Sequence, residues 1–287
     1  MTGVLLIAFG KAGYARMAHN LAFTLKHHAP DLKIGLYIAD DIRQFLPDQT
    51  LFHKIRTLNR GDYRNARGGI EPAKAKGQIY RFGAAMFDKF LYLDVDGIGI
   101  TDIRPLLKHL EGRPVATEIT GTGKVGQHIN YGEYWCSAAN IVKHFGCSPD
   151  ATICGVQSSW MYFEKGSLGA KVQEYLDYYR TKPLPKHIIK ADWGGSIPDE
   201  LLYQGVFAKM GIVPRNPKGH NRAPVFFGHA NIKDTPEQVR EKYHVLALYG
   251  FKLVQKRYLA LADKLLKEAG DRYGFTTDRV MKDKHVA

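Results

Sequence analysis

At 287 residues, with 45% apolar and 24% charged residues, the chain has the composition of a soluble globular protein with room for one large α/β domain or two smaller ones. Its formal net charge of +13 is the outlier, a surplus that attracts the phosphates of a nucleotide, a nucleic acid or an anionic membrane. No run is apolar for long enough to make a membrane helix, no basic region precedes the first apolar segment, and three cysteines favour a reducing cytoplasm over a disulfide framework.

In chain order, Val4 to Phe9 reads as a buried strand ending in Gly10-Lys11-Ala12-Gly13-Tyr14. Met17 to His27 carries helical spacing, and Lys33 to Ile38 reads as a second strand closed by Ala39-Asp40-Asp41. Strand, helix and strand at this spacing make a βαβ unit, hence a parallel sheet with a right-handed crossover. Gly10 and Gly13 would let the backbone approach a nucleotide, and Asp40 or Asp41 would hold its base or ribose.

Ile55 to Gly69 reads as a basic loop, and Glu71 to Phe87 as one helix with Pro72 in its first turn. Between Lys54 and Lys89 stand nine bases (Lys54, Arg56, Arg60, Arg64, Arg67, Lys74, Lys76, Arg81, Lys89) against three acids, Asp62, Glu71 and Asp88. The helix delivers the chain into Phe90-Leu91-Tyr92-Leu93-Asp94-Val95-Asp96-Gly97. An apolar run of this kind is a fully buried strand of a parallel sheet, and ligands bind outside the carboxyl ends of such strands. On an extended chain Asp94 and Asp96 share one side, where two carboxylates repel and invite a hard divalent cation, Mg²⁺ or Mn²⁺.

Ile103 to Leu110 is a short helix and Pro114 to Ile119 a strand. Gly121-Thr122-Gly123-Lys124-Val125-Gly126 matches the dinucleotide pattern, but it lacks the strand-to-helix context and reads as a mobile loop reaching Gly132, with His128 and Tyr131 in it. Cys136, Cys147, Cys154 and His144 make a loose cluster at spacings foreign to the usual zinc modules. Gly155 to Phe163 is a strand and Leu168 to Tyr179 a helix. Ser196 with Asp199 approximates a capping box opening a helix to about Met210. Val225 to Phe227 is a short strand before Gly228-His229, and from Pro236 the chain reads as an amphipathic helical segment with a frayed end after Tyr273.

Together, Val4 to Gly10 with Tyr14, Ala39-Asp40-Asp41, Leu91 to Asp96, Ser158 to Phe163, Pro198-Asp199-Glu200 and Gly228-His229 resemble, in that order, the GT-A glycosyltransferases. The match is nearest to the retaining family of glycogenin and bacterial lipopolysaccharide galactosyltransferases. The resemblance implies a single α/β, Rossmann-like domain over residues 1–235 with a mixed, mainly parallel sheet, and a basic helical extension over 236–287. It implies Mn²⁺ (or Mg²⁺) on Asp94, Asp96 and His229, and a nucleotide-diphosphate sugar donor, UDP-sugar foremost. Phe9, Gly10, Gly13, Tyr14, Asp40, Asp41, Lys76, Asp94 and Lys233 would bind the donor, with Asp199 and Asp96 catalytic. Two departures stand out: Gly228 precedes the histidine where the family has glycine after it, and Asp199-Glu200 replaces Asp-Gln. The second leaves retention or inversion open, since a placed carboxylate serves as general base in an inverting displacement.

Two rivals come from other classes. Asp94-Val95-Asp96-Gly97 also resembles the motif of haloacid-dehalogenase-type phosphatases, which place it on the first strand and need further aspartates downstream. The basic stretch with Tyr63 and Tyr80 would suit a non-catalytic nucleic-acid-binding protein, though no dedicated module is present. A glycosyltransferase acting on a polyanionic acceptor, DNA with a hydroxylated base, combines both ideas. A lipid-linked glycan at an anionic membrane, met by peripheral contact, accounts for the same charge.

Overall fold

The computed structural model describes residues 1–64, 71–125, 136–182, 197–217, 220–227, 234–248 and 256–270. Its backbone gathers into two compact units: Met1–Asn59, Phe90–Leu110 and Gly219–Ala287 form the first, and Arg60–Lys89 with Glu111–Lys218 the second. Six strands belong to one mainly parallel sheet, and three more to a smaller sheet.

In the first unit the apolar runs form strands as their pattern dictates. β1 (Thr2–Ala8) is buried from Gly3 onward, and β2 (Ile34–Ala39) along its whole length. They pair in parallel, Val4 opposite Ile34, and α1 (Ala12–His28) is the crossover. β3 (Lys54–Leu58) pairs in parallel with β2 where the sequence suggested a loop. The residues explain the strand: β3 ends the order β3-β2-β1-β4, and Lys54 and Arg56 point to solvent, the charge that deters pairing with another chain at an open edge. β4 (Lys89–Leu93) is the buried strand that leads to Asp94 and Asp96.

The smaller sheet lies in the same unit, in the order β5 (Gly97–Gly99), β9 (Tyr243–Ala247), β8 (Ala223–Phe227). The segment read as continuously helical from Pro236 is thus interrupted. α8 (Pro236–Lys242), opened by a Thr235–Gln238 capping box, ends at the apolar run that becomes β9, and α9 (Lys256–Glu268) follows later. Tyr258, Leu261, Ala262, Leu265 and Leu266 recur at helical spacing and pack with Ile98, Ile100, Val239 and Leu246.

The second unit holds β6 (Val115–Gly123) and β7 (Ile153–Glu164), an antiparallel pair with register shifts after Thr117 and Ile119. β6 therefore runs through Gly121 to Gly123, where the sequence suggested a loop; residues 126–135, with His128 and Tyr131, lie outside the described residues. Helices α5 (Ala138–Phe145), α6 (Ser167–Arg180) and α7 (Asp199–Met210) complete it. The helix expected over Glu71 to Phe87 is two, α2 (Pro72–Lys76) and α3 (Ile79–Ala84). Gln173 causes the break: its amide donates to the Gly77 carbonyl (3.0 Å) and accepts from the Arg81 N–H (3.2 Å), standing in for the bond those two groups would make in a continuous helix. In the first unit α4 (Arg104–Leu110) forms as expected.

Candidate functional site

In the first unit, β4 ends at Leu93 and the chain bends through Asp94-Val95-Asp96 before entering β5. Asp96 is 8% exposed and Asp94 half-buried. The Tyr92 hydroxyl, two residues back on the strand, donates to Asp94 Oδ1 at 2.5 Å and orients that carboxylate. The Leu248 N–H donates to the Asp96 carbonyl at 2.7 Å, so the chain leaving β9 holds the bend. Both carboxylates are hard oxygen donors and fit Mn²⁺ or Mg²⁺ in kind. Among the described residues no group of three or more His, Cys, Asp or Glu side chains is arranged to hold a metal, and the third ligand expected, His229, lies outside them together with Lys233.

The end of β1 carries the other expected donor residues. Phe9 and Gly13 are buried, and Gly10 sits at φ +129°, where a β-carbon would meet the Tyr14 ring at 3.1 Å. Glycine there lets the turn close over Tyr14 at the start of α1. At the end of β2, Asp40 is exposed and its Oδ1 accepts from the Asp41 N–H at 2.9 Å, shaping a 3-10 turn over Asp40–Phe45.

In the second unit the structure brings together three residues far apart in sequence. Lys76 Nζ lies 2.9 Å from Asp199 Oδ2 and 2.9 Å from Ser158 Oγ, and the Ser158 hydroxyl donates to the same Asp199 oxygen at 2.5 Å. Lys76 is fixed at the end of α2, where the Tyr203 hydroxyl from α7 donates to its carbonyl at 2.9 Å. Burial raises the Asp199 carboxyl, but the Lys76 ammonium and the Ser158 hydroxyl outweigh it and hold the group below its ordinary value. Asp199 is the first helical residue of α7, and its cap residue is Pro198, without a side-chain bond. The capping box is thus not what this carboxylate serves, and Ser196 lies outside the described residues.

Glu118 on β6 is a half-buried carboxyl raised above its usual range by burial. The sequence reading singled out none of Tyr92, Ser158, Glu118 or Tyr203 for function. The signal for Tyr92 was local, two positions before Asp94 on a strand; Ser158 and Glu118 carry no local signal. The three cysteines are free. Of the nine bases in the basic stretch, Lys74 pairs with Glu71 (3.5 Å), Lys76 with Asp199, Arg81 with Asp177 and Lys89 with Glu111 (3.4 Å). Arg67 lies outside the described residues.

No protein-family model matches the sequence, and no curated protein does. Solved structures do. The crystal structure of galactosyltransferase LgtC in complex with donor and acceptor sugar analogues is 15% identical, with a TM-score of 0.53 over 94% of this chain and 95% of that one. The apo structure of the bifunctional glycosyltransferase WbbM is 12% identical at a TM-score of 0.60, over 98% of this chain and 51% of that one. Mouse xyloside xylosyltransferase 1, apo, is 11% identical at 0.50, over 89% of this chain and all of that one. The fold of this chain is the GT-A glycosyltransferase fold.

Proposed function

We propose that the chain is a metal-dependent glycosyltransferase that moves a sugar from a nucleotide-diphosphate sugar to a hydroxyl acceptor. One observation carries the reading: Asp94 and Asp96 flank a bend at the carboxyl end of the buried strand β4, within a GT-A fold. Asp94, Asp96 and, from the sequence motif, His229 would hold Mn²⁺ or Mg²⁺, whose charge offsets the negative charge building on the departing diphosphate. Tyr92 orients Asp94, the Gly10–Tyr14 turn and Asp40-Asp41 receive the nucleoside, and Lys233 grips phosphate. The haloacid-dehalogenase alternative loses its footing, because the Asp-x-Asp follows the fourth strand of the chain and not the first.

The resemblance makes Asp199 the second catalytic carboxylate. A carboxylate held ionised by Lys76 is a weak base, and it suits stabilising a cation-like sugar better than taking a proton. Donor hydrolysis by purified protein with UDP-glucose, UDP-galactose and UDP-xylose tests the reading; turnover with one of them that needs Mn²⁺ and is lost in Asp96→Asn supports it. No turnover and no nucleotide binding with any donor counts against it.

A DNA acceptor draws on Lys54 and Arg56 of the first unit, which are exposed. Four of the neighbouring bases are engaged by carboxylates, so the surplus available to a polyanion is smaller than the local count of nine against three. A salt titration against duplex DNA and against anionic vesicles separates a nucleic acid from a membrane surface.

A further inference from the structure

In the first unit three imidazoles form a ladder. His109 of α4, His220 just before β8 and His244 of β9 stand with ring centroids 5.3 and 5.1 Å apart, tilted at 57° and 47°. His244 is 2% exposed, while His109 and His220 are half-buried. His244 Nδ1 lies 2.9 Å from the Thr101 hydroxyl, and His220 Nδ1 lies 2.8 Å from the Arg222 carbonyl. The rungs tie together the chain after β5, α4 and the two other strands of the smaller sheet.

Few charges surround the ladder. Arg222 faces His244 beside His220, and its guanidinium donates to the Arg240 carbonyl of α8. Asp102, from the link between β5 and α4, is the carboxylate that faces His244; Arg104 holds it at 2.7 Å, and it also faces His28 of α1. A proton on His244 thus enters a buried place beside a guanidinium and a second imidazole, and two charged rings 5.1 Å apart repel. Burial first, and then His220 and Arg222, push His244 down to about 4, so at neutral pH the ladder is assembled with that ring uncharged.

The place of the ladder gives that proton leverage. The His244 carbonyl accepts from the Ile100 N–H at 2.8 Å, Gly97 pairs with Ala247, and the Leu248 N–H donates to the Asp96 carbonyl at 2.7 Å. Ala223 at the start of β8 pairs with Tyr243, the residue before His244. Loosening β9 at His244 loosens the pairing that holds the bend after β4.

We propose that the His109–His220–His244 ladder is a proton-operated latch: uncharged, it closes the smaller sheet on the bend that carries Asp94 and Asp96, and a proton on His244 opens that sheet locally. The latch stands on the ring geometry and on the pairing of β5, β8 and β9. Only its bearing on metal and diphosphate binding rests on the sugar-transfer reading.

Hydrogen exchange of the full chain, followed by mass spectrometry and corrected for intrinsic rates at pH 7 and pH 5, tests it. A ring that takes up its proton at about 4 when closed and at the ordinary 6.5 when open favours opening about twentyfold more at pH 5 than at pH 7. Protection should fall by about that factor over 97–100, 223–227 and 243–248, and hold steady over 2–8, 34–39 and 89–93. His244→Leu should keep its protection at pH 5. His220→Leu, which removes a neighbouring ring but leaves His244 able to titrate, should show a smaller fall than the natural chain. Unchanged protection in the smaller sheet, a fall shared equally by β1, β2 and β4, or an undiminished fall in His244→Leu overturns the proposal. The measurement contains neither nucleotide nor metal, so a failure of the sugar-transfer reading leaves its outcome untouched.

Discussion

Lys76, Ser158 and Asp199 offer a quantitative test of the second unit's architecture. Replacing Asp199 by Asn leaves the Lys76 ammonium beside a neutral amide, and replacing Lys76 by Met leaves the carboxylate with Ser158 alone. Removing one partner of a fully buried ion pair costs about 3–5 kcal/mol. Here the two side chains keep 20% and 17% of their surface in contact with solvent, so water recovers part of that cost. The expected loss is about 2–3 kcal/mol for either single variant, which for a chain of this size lowers the melting temperature by about 5–10 °C. The double variant Lys76→Met/Asp199→Asn carries no stranded charge and should be more stable than the sum of the singles by at least about 1 kcal/mol. Ser158→Ala removes two hydrogen bonds with charged groups, one donated to Asp199 and one accepted from Lys76, and should cost about 2–3 kcal/mol. Urea denaturation followed by circular dichroism measures all four. Strictly additive singles, or losses under about 0.5 kcal/mol, would mean that the pair behaves like a solvated surface contact and that the triad does not hold α2, β7 and α7 together.

Tyr92→Phe should keep the fold and weaken UDP–Mn²⁺ binding about fivefold, because Asp94 loses the hydroxyl that orients it; calorimetry checks this. His244, buried and facing His220, Arg222 and Asp102, is pushed down to about 4 by burial first and by its cationic neighbours next. Above the ordinary value of 6.5 it contributes no pH dependence. As pH falls from 6.5 toward 4 the unfolded chain takes up a proton that the folded chain refuses, so up to about 3 kcal/mol of stability is lost over that window, and His244→Leu should flatten the profile. Asp199 works in the same sense at lower pH: its depressed carboxyl stabilises the fold above the ordinary 3.8 and loses that contribution as it protonates below it. Gly205→Ala should destabilise by about 1–3 kcal/mol in thermal melts, since the added carbon would meet the Phe145 ring at 2.3 Å.

How much of this was legible in the sequence depends on the range of the interaction. β1, α1, β2 and β4 were readable because a buried parallel strand announces itself by an unbroken apolar run, and Asp94 and Asp96 stand directly at the end of one. β9 was not, because Tyr243 to Ala247 follows a well-capped helix without a glycine or proline to mark the change. The break between α2 and α3 was invisible for a different reason: it is made by Gln173, which no local pattern ties to Gly77. The Lys76–Ser158–Asp199 cluster joins residues 82 and 41 positions apart: the resemblance pointed to Lys76 and Asp199 one by one, but nothing local tied them to each other or to Ser158. The basic stretch was overcounted for the same reason. Arg81, Lys89 and Lys76 find their carboxylates on Asp177, Glu111 and Asp199, all outside the window in which charge was summed.

The most direct test of the central claim is the thermal shift produced by UDP with and without Mn²⁺. A ligand at a hundred times its dissociation constant stabilises by about 2.7 kcal/mol, a rise of several degrees in melting temperature. The account predicts that rise with UDP and Mn²⁺ together, its loss on adding EDTA, and its loss in Asp94→Asn and Asp96→Asn, both still folded. A shift of equal size without metal, or one that survives Asp96→Asn, would contradict the assignment of the bend after β4 as the metal and diphosphate site.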